Sequence, residues 1–317
     1  PWGTQYDAAF PAEAQGWGHS LWWDEAASRL WTLSWPAYTT VEYPVKLFTR
    51  TLNADGSISN LRGPIGLGTA GVGAKRVFGG AQAIPAWFRQ QYNAPPYLVG
   101  WGGYQSLLAQ GTIVSMGLVA YAIPDPAAFA DGTDIPAEQV RAAADHFSGS
   151  VDCHPSAMVD RGYRATDLVN HFDAPCWPAP EGDGITRMTW GDSYHNTGVW
   201  IDGPNKHGFI AIASLGTGNV WYNNSTLNFD GRGYELHIFD EGQFAEALSG
   251  SRPPAQVQPV SMTPLALPGL DLQGVNTNSS TFKNVAGATY DPQTKRLYLL
   301  APGVNGGSRL YVFVVNA

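Results

Sequence analysis

Charge is scarce in this chain. Only 14% of its 317 residues are Asp, Glu, Lys or Arg, the net charge is -8, and no run of Lys or Arg occurs. A phosphate backbone or an anionic bilayer needs a basic face to bind, so nucleic acid and membrane surfaces are excluded as partners. Long apolar runs are also missing, and nothing approaches the roughly 20 residues of a bilayer-spanning helix. The chain starts Pro1-Trp2-Gly3, with neither Met nor a basic and apolar leader, and that end is expected to be a mature one.

Cysteine is limited to Cys153 and Cys176, in an irregular region rich in Pro and His. A pair bracketing a loop points to a disulfide in an oxidising compartment, with two buried thiols as the other reading. If formed, the bridge contributes about 3 kcal/mol through loop closure. Cys153, His154 and Cys176 match no compact zinc spacing. Asn53-Ala54-Asp55-Gly56-Ser57 opens like a calcium loop, lacks the acidic residue at its end, and reads as a plain β-turn. There is no Gly-x-Ser-x-Gly elbow, and the glycines from Gly63 to Gly80 lack the Lys-Ser/Thr of a phosphate loop. Serine hydrolase and nucleotide-binding readings fall away. No cofactor is expected, calcium being the one ion left open.

What the chain does have is aromatic bulk, 12% of residues, and a hairpin written three times. The copies run Leu21-Trp22-Trp23-Asp24 to Arg29-Leu30-Trp31, Val199-Trp200-Ile201-Asp202 to His207-Gly208-Phe209, and Ala288-Thr289-Tyr290-Asp291 to Arg296-Leu297-Tyr298. Each is an apolar strand ending in Asp, a turn, and a basic residue or His opening the next strand. A carboxylate before a tight turn is an acceptor for turn N–H groups, so Asp24, Asp202 and Asp291 are read as structural. Arg29 and Arg296 are expected to stack or hydrogen-bond across the same turn.

Repeated hairpins, few helical segments and large side chains for packing between sheets predict an all-β fold, a β-propeller in one domain over residues 1–317. About seventeen strands at four per blade favour five blades. The Asp24 to Asp202 spacing is twice that from Asp202 to Asp291, which leaves seven blades as the alternative. The stretch at about 125–185 reads as an irregular insertion, with a short helix over 136–147 and a third blade threaded through Tyr163 to Phe172. The last blade stops after three strands. Its fourth is expected from Gln5 to Phe10, closing the ring with the N-terminal strand.

In such a ring the first strand of each blade lines the central channel, and ligands meet the loops at one mouth. Aligning the copies on Trp22 and Trp200 puts Gly18-His19 and Asn196-Thr197 at matching strand entrances, with Asp192-Ser193-Tyr194-His195 immediately before the second. His195, Asp192, Tyr194 and His19 are therefore the candidate catalytic residues, offering acid and base partners near neutrality. The bland alternative is that the two histidines satisfy loop backbone groups. Trp17, Trp101, Tyr104 and Trp190 are candidate sugar-stacking residues, against a background in which most aromatics pack between blades.

The hairpins, with Tyr290-Asp291-Pro292-Gln293-Thr294-Lys295-Arg296-Leu297-Tyr298, resemble the repeats of secreted bacterial β-propeller proteins, over both ends and the 187–240 region. Five-bladed members include arabinanase and levansucrase-like glycosidases. The resemblance implies a secreted, periplasmic or cell-surface protein. Its Asn-Asp-Pro-like opening motif and the sialidase Asp-box are both missing, and no catalytic residues are carried over. The expected function is binding of a polysaccharide or glycan at the channel mouth, with cleavage by a hydrolase or lyase route if the site is an enzyme's. The alternative is a non-catalytic subunit docked to other proteins of an extracellular assembly.

Overall fold

The computed structural model describes residues 19–34, 46–69, 72–73, 79–101, 120–141, 194–203, 206–223, 226–257, 259–270, 277–278, 285, 287–302 and 307–316. They form an all-β architecture of four sheets, each a meander in which chain neighbours pair antiparallel. The first sheet holds β1 (His19–Asp24), β2 (Arg29–Ser34), β3 (Lys46–Leu52) and β4 (Ile58–Thr69), with β5 (Val72–Gly73) beyond. The second holds β6 (Gly79–Ala83), β7 (Tyr97–Trp101) and β8 (Ala120–Ile123). After β8 the chain adds β9 (Asp134–Ile135), parallel to β4 of the first sheet, and then returns to the second sheet as β10 (Glu138–Arg141). The third holds β11 (Tyr194–Asp202), β12 (His207–Asn223), β13 (Thr226–Phe239) and β14 (Ser261–Pro264), with β15 (Thr277–Asn278) on β13. The fourth holds β16 (Gly287–Asp291), β17 (Arg296–Pro302) and β18 (Ser308–Val314).

The sheets stack face on face, and the period of two along each strand shows which face meets which neighbour. In the second sheet Tyr97, Val99, Tyr121 and Ile123 pack on Trp31, Leu33, Leu47 and Ile65 of the first. The alternate positions, Leu98, Ala120 and Ala122, pack on Trp200, Phe209 and Ala211 of the third. The third sheet turns Val199, Ile201, Ile210 and Ile212 to Leu297, Leu299 and Ala301 of the fourth. A strand covered on both faces needs apolar residues at every position, which is why β7, β8, Val199–Ile201 of β11 and Phe209–Ala213 of β12 read as apolar runs. Each large side chain so buried contributes roughly 1.5–3 kcal/mol.

Two helices fill the space between the second and third sheets. Ala86–Tyr92 follows Pro85 and buries Phe88, while Glu241–Leu248 is capped by Asp240, which accepts from the Gly242 N–H at 2.7 Å. Among the described residues no helix is long and apolar enough to cross a membrane.

One expectation changes here. The helix expected over 136–147 is a strand in its described part: Glu138–Arg141 pairs with β8, and Val140 is buried in the shared core. Tertiary pairing on an open sheet edge outweighs the modest helical propensity of Pro-Ala-Glu-Gln-Val. The third blade expected through Tyr163 to Phe172 lies outside the described residues, and so does the Gln5 to Phe10 strand. Among the described residues the second and third sheets share one core.

Candidate functional site

The first strands of the sheets lie side by side, β6 between β1 and β11, and three contacts show that they run the same way. Tyr97, opposite Ala83 at the end of β6, donates its hydroxyl to Asp24 at the end of β1, at 2.9 Å. Gln82, one residue before that end, donates its side-chain amide to the Gly198 carbonyl and accepts from the Trp200 N–H at 3.2 Å, near the end of β11. Just past β6, the Trp87 ring lies 4.3 Å from that of His207, which opens β12 opposite Asp202. The starts of β1, β6 and β11 therefore share the opposite end.

That shared end is where sequence reasoning placed the site. His19 begins β1 and pairs with Ser34; Tyr194 and His195 begin β11, opposite Ser214 and Ala213. A bulge between His195 and Thr197 bends the strand there. Trp101 ends β7 opposite Gly79, the first residue of β6, so its backbone lies at the same end. The backbone positions of His19, Trp101, Tyr194 and His195 thus lie at one end of the stacked sheets. Asp192, Trp17, Tyr104, Trp190 and the cysteines Cys153 and Cys176 lie outside the described residues.

The hairpin Asp residues sit at the other end and serve the turns, in three different ways. Asp24, 2% exposed, accepts from the Ala27 N–H at 3.2 Å, from Arg29 at 3.3 Å and from Tyr97. Arg29 also donates to Asp125 at 3.0 Å and lies over the Trp31 ring at 5.5 Å. Burial alone lowers the Arg29 guanidinium, and the hydrogen bond and charge of Asp125 more than reverse it. Burial, reinforced by the Asp24 carboxylate, pushes the Tyr97 phenol up to about 12. In the second copy His207 Nδ1 lies 2.9 Å from Asp202. In the third Asp291 accepts from the Gln293 N–H at 2.8 Å and the Thr294 hydroxyl at 2.6 Å, which holds its carboxyl below the usual range.

Other expected turns behave alike. Asn53 to Ser57 is a plain turn, with the Gly56 N–H donating to the Asn53 carbonyl at 2.9 Å and Asp55 taken up by the Ser57 hydroxyl at 2.6 Å. Among the described residues no three His, Cys, Asp or Glu side chains cluster as metal ligands.

Sequence reasoning missed Gln82, Trp87 and the fully buried His237, whose Nε2 lies 3.0 Å from Glu235. None carries a local signal, because each acts on a partner far away in the chain or on a face that periodicity alone does not assign.

No family model matches the chain, and no curated protein does. Among solved structures it is similar to a Cellvibrio cellulosa alpha-L-arabinanase complexed with arabinohexaose, at 10% identity and a TM-score of 0.37, over 96% of this chain and 78% of that one.

Proposed function

We propose that the four sheets are blades of one five-bladed β-propeller spanning residues 1–317, and that the end where β1, β6 and β11 begin is a carbohydrate-binding mouth. One observation carries the reading: His19, Trp101 and the Tyr194-His195 pair, drawn from three sheets, share that end. Two imidazoles, a phenol and an indole supply what a sugar needs, which is a flat apolar face and donors or acceptors for hydroxyls. The blade count is supported by the outer faces of the stack. Leu21 and Trp23 on the first sheet, and Leu310, Val312 and Val314 on the fourth, are 39–70% exposed, two apolar faces suited to flank one remaining blade.

As an enzyme, the mouth would use His195 or Tyr194 as base, Asp192 as acid or orienting group and His19 opposite, with Trp17, Tyr104 and Trp190 joining Trp101 as stacking surfaces. The reaction class is then glycoside hydrolysis or polysaccharide elimination. A secreted, periplasmic or cell-surface location, with a Cys153 to Cys176 disulfide, accompanies this reading.

A glycan and polysaccharide array, run with calcium and with chelator, tests it. Binding lost in the His195→Ala, Asp192→Asn double variant supports the mouth, and new reducing ends or unsaturated sugars make it an enzyme. Binding unchanged in that variant removes these residues. The second reading, a non-catalytic assembly subunit, takes the outer faces carrying Trp23 and Val312 as docking surfaces, and silence across the array favours it.

A further inference from the structure

The outer strand of a sheet is open to another chain, because its outward N–H and C=O groups have no ladder to join. Among the described residues, the outer strands of the first three sheets are short or interrupted. β5, β9 and β15 are two residues long, and β4 carries Pro64 and two register shifts. β10 is four residues with a shift between Gln139 and Arg141, and β14 is four residues ending in Pro264. β18 has none of these devices. It runs seven residues, Ser308–Val314, without Pro or bulge, and carries one charge, Arg309. Nothing among the described residues pairs with it on the side away from β17.

The ladder shows which groups face out. The Val315 N–H donates to the Lys295 carbonyl at 2.9 Å, and that pair continues the register in which Arg296 stands opposite Val314. Bonded and unbonded pairs alternate along an antiparallel ladder, so Phe313, Tyr311 and Arg309 bond to β17, while Val314, Val312, Leu310 and Ser308 turn N–H and C=O outward. Pro302, which has no N–H to give, stands opposite Ser308 in an unbonded pair. Side chains of the outward residues are also open to water, Leu310 at 61%, Val312 at 50% and Val314 at 70%.

We propose that this edge pairs antiparallel with the same edge of a second copy of the chain, joining two three-stranded sheets into one. The strand is complementary to itself. Only the register with its twofold axis at Tyr311 lets all of Ser308–Val314 meet, and it sets Ser308 opposite Val314, Arg309 opposite Phe313 and Leu310 opposite Val312 of the other copy. Apolar side chains then meet apolar ones on the exposed face, and the one cation meets an aromatic ring rather than its own copy. The outward residues all fall in bonded pairs, giving about eight hydrogen bonds. β16 is the strand beside β11 and β18 lies farthest from it, so the mouth stays open. Edge N–H groups lie in the plane of the sheet and side chains stand across it, so a further blade on the face and a second copy on the edge do not compete. The strand expected from Gln5 to Phe10 would take the same donors and is the rival occupant.

Sedimentation velocity of the full chain, from about 1 to 200 μM, tests the pairing. A monomer–dimer equilibrium is expected, and Val312→Pro, which removes an outward N–H and no bond to β17, should weaken it at least about ten-fold. Tyr311→Cys, on the axis, should cross-link on mild oxidation beyond the level of wild type, since unbonded pairs bring Cα atoms to about 4.5 Å. Leu310→Cys, set opposite Val312 rather than itself, should not. If Val312→Pro fails to fold, the two cysteine variants decide. A wild type that is monomeric throughout overturns the proposal and leaves the edge to the N-terminal strand. A dimer that Val312→Pro leaves intact, or equal cross-linking of the two cysteine variants, overturns it as well.

Discussion

The Tyr97 hydroxyl donates to the Asp24 carboxylate at 2.9 Å, joining two sheets through residues 73 positions apart. Asp24 is 2% exposed and balanced by Arg29, which also reaches Asp125 in the loop after β8. Removing one partner of a buried charge pair leaves the other uncompensated. Asp24→Ala should therefore destabilise by about 3 kcal/mol, and Tyr97→Phe, which keeps the ion pair, by about 1 kcal/mol. Urea unfolding checks both, and equal losses would mean that the ion pair contributes nothing beyond the hydroxyl.

The same pair predicts a pH dependence. Burial and the Asp24 carboxylate raise the folded Tyr97 phenol to about 12, above its unfolded value near 10. The folded state then binds the phenolic proton more tightly than the unfolded state, so its contribution is complete below pH 10 and lost as pH rises through 12. Stability of the wild type relative to Tyr97→Phe should fall across that window and stay flat from pH 6 to 9. A flat difference up to pH 12 would place the phenol in water.

A side chain does the work of a strand between the second and third sheets. Gln82 serves both the Gly198 carbonyl and the Trp200 N–H, while a Cβ on Gly198 would lie 2.2 Å from the Phe209 ring. Gln82→Leu should cost about 2 kcal/mol, since two backbone groups lose their partner. Gly198→Ala should cost about 1–3 kcal/mol through overpacking, and Phe209→Leu in that background should recover part of it. Thermal unfolding of the single and double variants gives the coupling, and strict additivity would refute the contact.

Much of this fold was legible because its rules are local. The Asp24 to Arg29, Asp202 to His207 and Asp291 to Arg296 pairs form in the register their five-residue spacing implies. Aligning Trp22 with Trp200 sets Asp24 against Asp202, and both end their strands, whereas it sets His19 against Thr197 and β11 begins three residues earlier, at Tyr194. The β10 strand was not legible, since Pro136 to Arg141 carries helical propensity and only the free edge of β8 makes it a strand. The helix Glu241–Leu248 had a usable signal in Asp240, an N-cap ahead of Phe244, Ala245 and Ala247, but it is short and lies between two strands. Contacts such as Gln82 with Gly198 depend on which sheets become neighbours. No pattern within one strand encodes that.

The outer faces of the stack decide between the two functional readings. Val312 on β18 is 50% exposed and lies between Leu310 and Val314 on one face of the strand, with Leu300 of β17 beside them. In a closed ring that face packs on a fifth blade of the same chain, so Val312→Asp buries a carboxylate without a partner and should destabilise by about 2–4 kcal/mol. In an assembly subunit the face meets water until the partner arrives, so the same change should alter stability by less than about 0.5 kcal/mol and abolish association. Urea unfolding at two protein concentrations, with light scattering for mass, separates the cases. A large loss of stability at constant monomer mass supports the ring, whereas an unchanged midpoint together with loss of a larger species supports the subunit.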